Sequence, residues 1–181
     1  MILRTKTPIT LSRLFSGSKQ ILIFLFALLS IQGTCRYSMR DVSIPPEVKT
    51  VRVFFIENKA RYINPQLSPR LTDKLRQKIV NQTRLSQTNN EADYEISGYI
   101  SDYSVSTSGI SQQQVASNNL NVTVHIVFKN RLDEKTNFET DITRNFPFSA
   151  SKSLSQAESE LNDQIINNLT DEIFNRIFSN W

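Results

Sequence analysis

Three cations recur at a spacing of four residues in the first half of the chain, namely Arg70, Lys74 and Lys78. Residues four apart lie on one side of an α-helix, so these side chains would form a single positively charged stripe. Such a stripe suits phosphorylated or carboxylated ligands, because guanidinium and ammonium groups donate hydrogen bonds to their oxygens. Arg76 and Arg84 add to the local positive charge. The alternative is an ordinary solvated helix face, the usual explanation of such a stripe.

A second candidate binding surface is an uncharged polar segment, residues 106–119 (STSGISQQQVASNN), with Gln112, Gln113 and Gln114 near its centre. Predicted strands lie on both sides of it, so we expect a long hairpin loop. Such a loop could insert into a wet cavity of a partner protein, or it could be an ordinary surface loop.

The sequence contains few of the residues that catalytic sites use. The chain has one histidine, one cysteine and four glycines. This composition leaves no metal-ligand cluster, no glycine-rich phosphate loop and no set of nucleophile, histidine and acid. His125 falls on the polar face of a predicted strand, which is typical of a surface imidazole. We therefore expect a protein that is not an enzyme and binds neither a cofactor nor a metal.

The N-terminus has the layout of an export signal. Residues 1–34 contain four cations and no acid, and residues 21–31 (ILIFLFALLSI) form an apolar run. A basic leader followed by such a run is typical of a secretory signal. Eleven helical residues rise only about 16 Å, whereas the hydrocarbon core of a membrane is ~30 Å thick. We expect residues 1–34 to be removed on export.

Cys35, the only cysteine, directly follows the expected cleavage point. A lone cysteine cannot form an internal disulfide, so in an exported chain it is either a spare thiol or the attachment point of a lipid. The segment resembles a bacterial lipobox, although Gln32 stands where Leu is usual and Thr34 where Gly, Ala or Ser is usual. We predict lipidation of Cys35, with residues 35–47 as a short tether to the membrane.

The charge of the chain changes when the signal is removed. The whole chain has 21 basic and 17 acidic residues, and four of the basic ones lie in the signal, so the mature chain is formally neutral. The high isoelectric point therefore gives no support for nucleic-acid binding. Charge is still uneven, since residues 35–84 carry a net +7 and residues 85–181 a net −7. The two regions either present surfaces of opposite charge or neutralise each other when they pack.

The elements that position these groups follow from the spacing of apolar side chains. Residues 48–181 suffice for one domain with a single core. Alternating patterns predict strands at residues 49–58, 94–105, 120–130 and 136–146. Apolar residues four apart predict one helix from Pro69 to about Gln82, with Ser68 as its N-cap. A second helix is predicted from Ser155, in a capping box with Glu158, to about Phe178. This order predicts an α+β fold, a single four-stranded and mostly antiparallel sheet with two helices packed on one face.

Four segments, taken in order and spacing together, resemble one known family. They are residues 43–51 (SIPPEVKTV), 64–85 (NPQLSPRLTDKLRQKIVNQTRL), 92–105 (ADYEISGYISDYSV) and 173–181 (IFNRIFSNW). They are similar to the LptE lipopolysaccharide-assembly lipoproteins, specifically the Bacteroidetes branch. The resemblance implies a subunit of the outer-membrane lipopolysaccharide translocon, anchored through Cys35. Proteins of that family have a sheet covered by two helices and sit inside the lumen of the LptD β-barrel, where they help to deliver lipopolysaccharide to the cell surface.

Within this family, the candidate residues acquire specific expected roles. We expect the stripe of Arg70, Lys74 and Lys78, helped by Arg52 and Arg76, to meet lipid A phosphates or acidic residues of the barrel wall. The polar loop with Gln112–Gln114 is expected to point into the barrel lumen.

A different class of function also fits an α+β lipoprotein. It could activate a peptidoglycan synthase or act as a pilot for another secretion barrel. An activator usually needs a long tether to cross the periplasm, since an extended residue spans at most ~3.5 Å. Only about a dozen residues separate Cys35 from the first predicted strand, which favours a partner in the same membrane.

Overall fold

A computed structural model describes residues 44–107 and 117–179. The expected signal, Cys35, most of the tether and Gln112–Gln114 lie outside the described residues. The elements follow in the order β1 (Thr50–Val53), β2 (Glu57–Asn58), α1 (Leu67–Gln82), β3 (Ser86–Gln87), β4 (Tyr94–Thr107), β5 (Ser117–Asn130), a 3₁₀ turn (Glu134–Thr136), β6 (Phe138–Ser149) and α2 (Leu154–Phe178).

The sheet has the strand order β3-β1-β4-β5-β6, and β2 pairs with β4 beyond the end of β1. β1 runs parallel to both β3 and β4, and β2 runs parallel to β4, whereas β4, β5 and β6 are joined as antiparallel neighbours. The α+β prediction with two helices is confirmed. The prediction of four mostly antiparallel strands is wrong, because the sheet is six-stranded and mixed. The parallel pairing arises because the chain crosses over through α1 between β1 and β4.

The predicted strand at residues 49–58 is two short strands with an irregular step between them. Val51 and Val53 are buried, then Phe55 is 52% exposed and Ile56 is fully buried. The two-residue period therefore shifts by one position. The backbone N–H groups of Phe54 and Lys59 donate to β4 on either side of the step, at 2.9 Å each. The step thus keeps the chain on β4 while it moves Ile56 to the core face.

The core lies between one face of the sheet and the two helices. Every second residue of β5 from Leu120 to Phe128 is buried, as the alternating pattern predicts. From α1 the core receives Leu71, Leu75 and Ile79, and from α2 it receives Ile165, Leu169, Ile173 and Ile177. In the described part of the chain, neither helix combines the length and apolarity needed to cross a membrane.

Both helices begin earlier than predicted. α1 starts at Leu67 with Gln66 as N-cap and no capping side chain, rather than at Pro69 after Ser68. α2 starts at Leu154, and its capping box joins Ser153 to Gln156. The predicted box of Ser155 and Glu158 has the same spacing, so the pattern alone could not distinguish the two. Glu158 is therefore not part of the capping box, and its carboxylate can make other contacts.

Asp93 fastens the start of β1 to β4. One oxygen of its carboxylate accepts hydrogen bonds from the backbone N–H groups of Lys49 and Thr50 and from the Thr50 hydroxyl, each at 2.9 Å. The backbone N–H of Lys49 is the largest cause that holds the pKa of Asp93 below its ordinary value, and the Thr50 groups add to it. The ionised carboxylate is therefore stabilised by folding.

We expect Asp93→Asn to cost about 1 kcal/mol of unfolding free energy at neutral pH. A pKa that folding lowers contributes stability above the unfolded-state pKa, and this contribution is lost as pH falls through the folded-state pKa. The difference between wild type and variant should therefore shrink as pH falls below the ordinary range of aspartate. Urea unfolding across that range checks it, and a difference that stays constant on acidification would contradict the assigned cause.

Candidate functional site

The three cations of the stripe lie on the side of α1 that faces α2. The Arg70 guanidinium is 2.5 Å from the Asp163 carboxylate, and the Lys78 ammonium is 2.7 Å from that of Asp171. Both pairs join residues 93 positions apart, so α1 and α2 run side by side in the same direction. The basic region, residues 35–84, and the acidic region, residues 85–181, thus neutralise each other at these two contacts.

Lys78 and Lys74 differ in their surroundings. The Lys78 side chain is only 18% exposed, and its ammonium also lies 5.1 Å from the centre of the Phe174 ring. Lys74 is exposed, and within residues 44–107 and 117–179 it has no ion-pair partner. It lines a polar groove of about 410 Å³ between the helices, together with Arg70, Asp163 and neighbouring polar side chains. Lys74 is therefore the cation of the stripe whose charge is open to a ligand.

The other two predicted cations are engaged elsewhere. Arg76 donates from Nε (3.3 Å) and Nη2 (2.8 Å) to the carbonyl oxygen of Val53, at the irregular step between β1 and β2. Arg52 alternates with the buried Val51 and Val53, so it lies on the sheet face away from the helices, with its guanidinium 4.2 Å from the Phe54 ring centre. The structure therefore does not bring the five cations together into one surface.

Lys78→Glu should lower the unfolding free energy by about 1 to 2 kcal/mol, because it places a carboxylate against Asp171 in a half-buried setting. Asp171→Lys in the same chain should restore most of the loss by reversing the pair. Chemical unfolding of the two single variants and the double variant measures the coupling directly. Additive losses in the double variant would mean that the ion pair contributes nothing to stability.

His125 lies on the open sheet face beside two acids. Its Nδ1 is 2.8 Å from the Asp141 carboxylate and its Nε2 is 3.6 Å from that of Glu139. Its ring centre lies 5.0 Å from that of Tyr99, with the two planes tilted by 32°. Among the described residues, no group of three or more histidine, cysteine or acidic side chains has a geometry that could hold a metal ion.

A cluster of hydrogen-bonded polar side chains lies where α1 and α2 begin. Glu158 accepts hydrogen bonds from the hydroxyls of Tyr103 (2.8 Å) and Tyr62 (3.3 Å) and from the Asn64 amide (3.2 Å). Burial raises the pKa of the Tyr103 hydroxyl, and the nearby Glu158 charge raises that of Tyr62. Both phenols therefore stay protonated and act as donors. Sequence reasoning missed this cluster, because its members are 55 to 96 positions apart from Glu158 and no local pattern links them.

Glu158 lines a polar pocket of about 200 Å³ between α2 and the segment before α1. The lining residues are Asn64, Pro65, Gln66, Ser155, Glu158, Ser159 and Asn162. At the opposite end of the sheet, a more apolar cavity of about 410 Å³ lies between the residues that enter β1 and the β5–β6 connection, lined by Val48, Tyr94, Leu132 and their neighbours. One end of the domain therefore carries a polar pocket and the other a more apolar cavity.

Comparison with known protein families found one match. The model of one protein family, described as "LptE: Lipopolysaccharide-assembly", matches residues 48–178. No curated protein sequence matches the chain.

Three similar solved structures cover most of the described domain. A hypothetical protein from Chlamydia trachomatis has a TM-score of 0.51 at 7% identity and covers 74% of this chain and 99% of its own. A minor lipoprotein from Acinetobacter baumannii has a TM-score of 0.48 at 16% identity, over 72% of this chain and 92% of its own. Rare lipoprotein B from Shewanella oneidensis has a TM-score of 0.42 at 17% identity, over 70% of this chain and 92% of its own.

The family match extends from the residues just before β1 to the last residue of α2. It therefore includes every strand and both helices of the domain, and it covers well over half of the chain. The protein belongs to the LptE lipopolysaccharide-assembly family.

Proposed function

We propose that this protein is an outer-membrane lipoprotein subunit of the lipopolysaccharide translocon, which acts with the LptD β-barrel to assemble the translocon and deliver lipopolysaccharide to the cell surface. The observation that carries the proposal is the family match over residues 48–178, which spans the whole described domain. The proposal assigns the chain a structural and binding role with no catalytic step. This role suits a sequence with one histidine, one cysteine and four glycines.

The proposed anchor at Cys35 would restrict where the domain can sit. Nine residue steps separate Cys35 from Ile44, and an extended chain spans at most ~3.5 Å per residue, so Ile44 would lie at most about 30 Å from the anchor. Ile44 and Val48 precede β1 at the end of the sheet that carries the apolar cavity. The anchor would hold that end towards the membrane, with the polar pocket, the last residue of β4 (Thr107) and the first residue of β5 (Ser117) at the far end.

Lys74 is the stripe cation that we propose for direct contact with a lipopolysaccharide phosphate or an acidic residue of the barrel wall. Its ammonium is exposed beside the groove between the helices, and it has no ion-pair partner in the described ranges. Arg70 and Lys78 would have to give up their ion pairs with α2 to make the same contact. A ligand gains less from a charge that is already paired.

The test is affinity purification of the tagged full-length protein from cell envelopes. We expect a large outer-membrane β-barrel to co-purify at equal stoichiometry. Cys35→Ser is the matched control for the anchor, because it removes the lipidation site and leaves residues 48–178 unchanged; it should reduce the fraction of protein recovered with the outer membrane. Recovery of a peptidoglycan synthase without a barrel would instead support the activator alternative and overturn the proposal.

A further inference from the structure

The polar pocket beside Glu158 has hydrogen-bonding capacity that the fold leaves unused. Glu158 Oε1 accepts from Tyr103 and Asn64, whereas Oε2 accepts from Tyr62 alone. A carboxylate oxygen can accept about two hydrogen bonds. Oε2 can therefore accept one more donor from a ligand in the pocket.

Two amides on the pocket wall add a donor and an acceptor. The Asn162 amide nitrogen donates to the Gln66 side-chain oxygen at 3.2 Å. Within the described part of the chain, this leaves Asn162 Oδ1 and Gln66 Nε2 without a protein partner. The lining contains one carboxylate and no cation, so a phosphate or carboxylate ligand would meet repulsion there. The groups on offer suit an uncharged ligand whose polar atoms both donate and accept.

An aromatic ring is joined to the pocket through Glu158, one of the lining residues. Tyr62 reaches Glu158 with its hydroxyl, and its ring stacks on Tyr103 with centres 5.6 Å apart and planes 22° apart. Tyr103 is buried, whereas Tyr62 is 44% exposed. One face of the Tyr62 ring is therefore held by the protein and the other is open to solvent. A rigid aromatic face of this kind offers apolar contact area at low entropic cost.

We propose that the polar pocket and the outer face of Tyr62 bind a pyranose ring of a saccharide. Sugar hydroxyls each donate and accept, which matches Glu158 Oε2, Asn162 Oδ1 and Gln66 Nε2, and the C–H face of the ring packs on an aromatic face. A pocket of about 200 Å³ has room for one small ring rather than a larger ligand. The source of the sugar rests on the proposed function, which favours the carbohydrate part of lipopolysaccharide over peptidoglycan glycan.

In the test, the full lipidated protein in detergent micelles is titrated with two probes, and binding is measured by saturation-transfer NMR. One probe is the core oligosaccharide released from lipopolysaccharide by de-acylation, and the other is a glycan fragment of peptidoglycan. Binding of either probe through the pocket supports the saccharide site. Comparison of the two identifies the source of the sugar, and we expect the core oligosaccharide to bind more tightly.

Variants locate the binding. Tyr62→Ala should weaken affinity at least about tenfold, while Tyr62→Phe, which keeps the ring, should retain most of it. Ser159→Tyr, at an exposed lining position, should fill the pocket and remove binding without loss of a buried side chain. Ile63→Ala is the matched control, since Ile63 is 60% exposed next to Tyr62 but its apolar side chain cannot form the hydrogen bond that joins Tyr62 to Glu158. Its affinity should be unchanged.

Absence of binding by both probes would overturn the inference, and so would unchanged affinity in both Tyr62→Ala and Ser159→Tyr. Affinity purification of Tyr62→Ala separates this outcome from the proposed function. If the barrel co-purifies while no saccharide binds, the inference alone fails. If the saccharide binds but no barrel is recovered with wild type, the pocket stands and the proposed function fails.

Discussion

Replacing Gly98 with valine should destabilise the domain by about 3 kcal/mol, near the upper end of what overpacking costs. Gly98 lies in β4 opposite Ile126 of β5. A Cβ atom at this position would be 2.2 Å from the backbone carbonyl oxygen of His125 and 3.0 Å from the Ile126 side chain. Because the first contact is with backbone of a strand paired on both sides, relief requires β5 itself to shift. Urea unfolding of the purified domain measures the loss.

Ser97→Val is the control for the effect of valine in the same strand. Ser97 is next to Gly98, and its side chain points to the other, partly open sheet face, opposite Val127. Valine favours extended backbone, so this variant should stay within about 0.5 kcal/mol of wild type. Equal stability of the Gly98 and Ser97 variants would show that β4 and β5 do not approach each other closely at Gly98.

The sequence predicts elements well where one element has one buried face. β5 keeps a strict two-residue period from Leu120 to Phe128, and it is confirmed as a strand. β3 has only two residues, both exposed, which is too short to show any period. At the step before Ile56 the period itself shifts, so a pattern read across it gives one long strand. The prediction of four strands is wrong because the pattern of apolar residues does not contain this information.

In the candidate site, too, the sequence predicts local features but not tertiary contacts. A four-residue spacing places Arg70, Lys74 and Lys78 on one side of α1, and the structure bears this out. It does not say which element packs there, and Asp163 and Asp171 of α2 occupy that side. Glu158 could be assigned to a capping box from spacing alone, whereas its partners come from three distant segments. Periodicity reports which residues share a face, and only packing decides what that face meets.

Arg76 and Lys74, two residues apart on α1, should therefore give opposite results when their charges are removed. Arg76→Met keeps an apolar stem but leaves the Val53 carbonyl without its donor at the step between β1 and β2. Because Val53 is only 4% exposed, water cannot fully replace the guanidinium, and we expect a loss of about 2 kcal/mol of unfolding free energy. Lys74→Met removes an exposed cation with no ion pair in the described ranges, so its stability should change by less than about 0.5 kcal/mol.

For lipopolysaccharide binding, the two variants should rank in the opposite order: Lys74→Met should lose more than Arg76→Met. Lys74→Met removes the one stripe charge that is open to a phosphate, so captured lipopolysaccharide should fall while the unfolding free energy stays near that of wild type. Arg76→Met should bind normally under conditions where it is folded, because its guanidinium is already held by the Val53 carbonyl and lies beside Asp73. Both quantities can be measured on the same preparations, by urea unfolding and by a displacement assay with immobilised lipopolysaccharide. If Arg76→Met loses binding while fully folded, or Lys74→Met binds as wild type, these two cations of α1 do not divide into a structural one and a ligand-facing one.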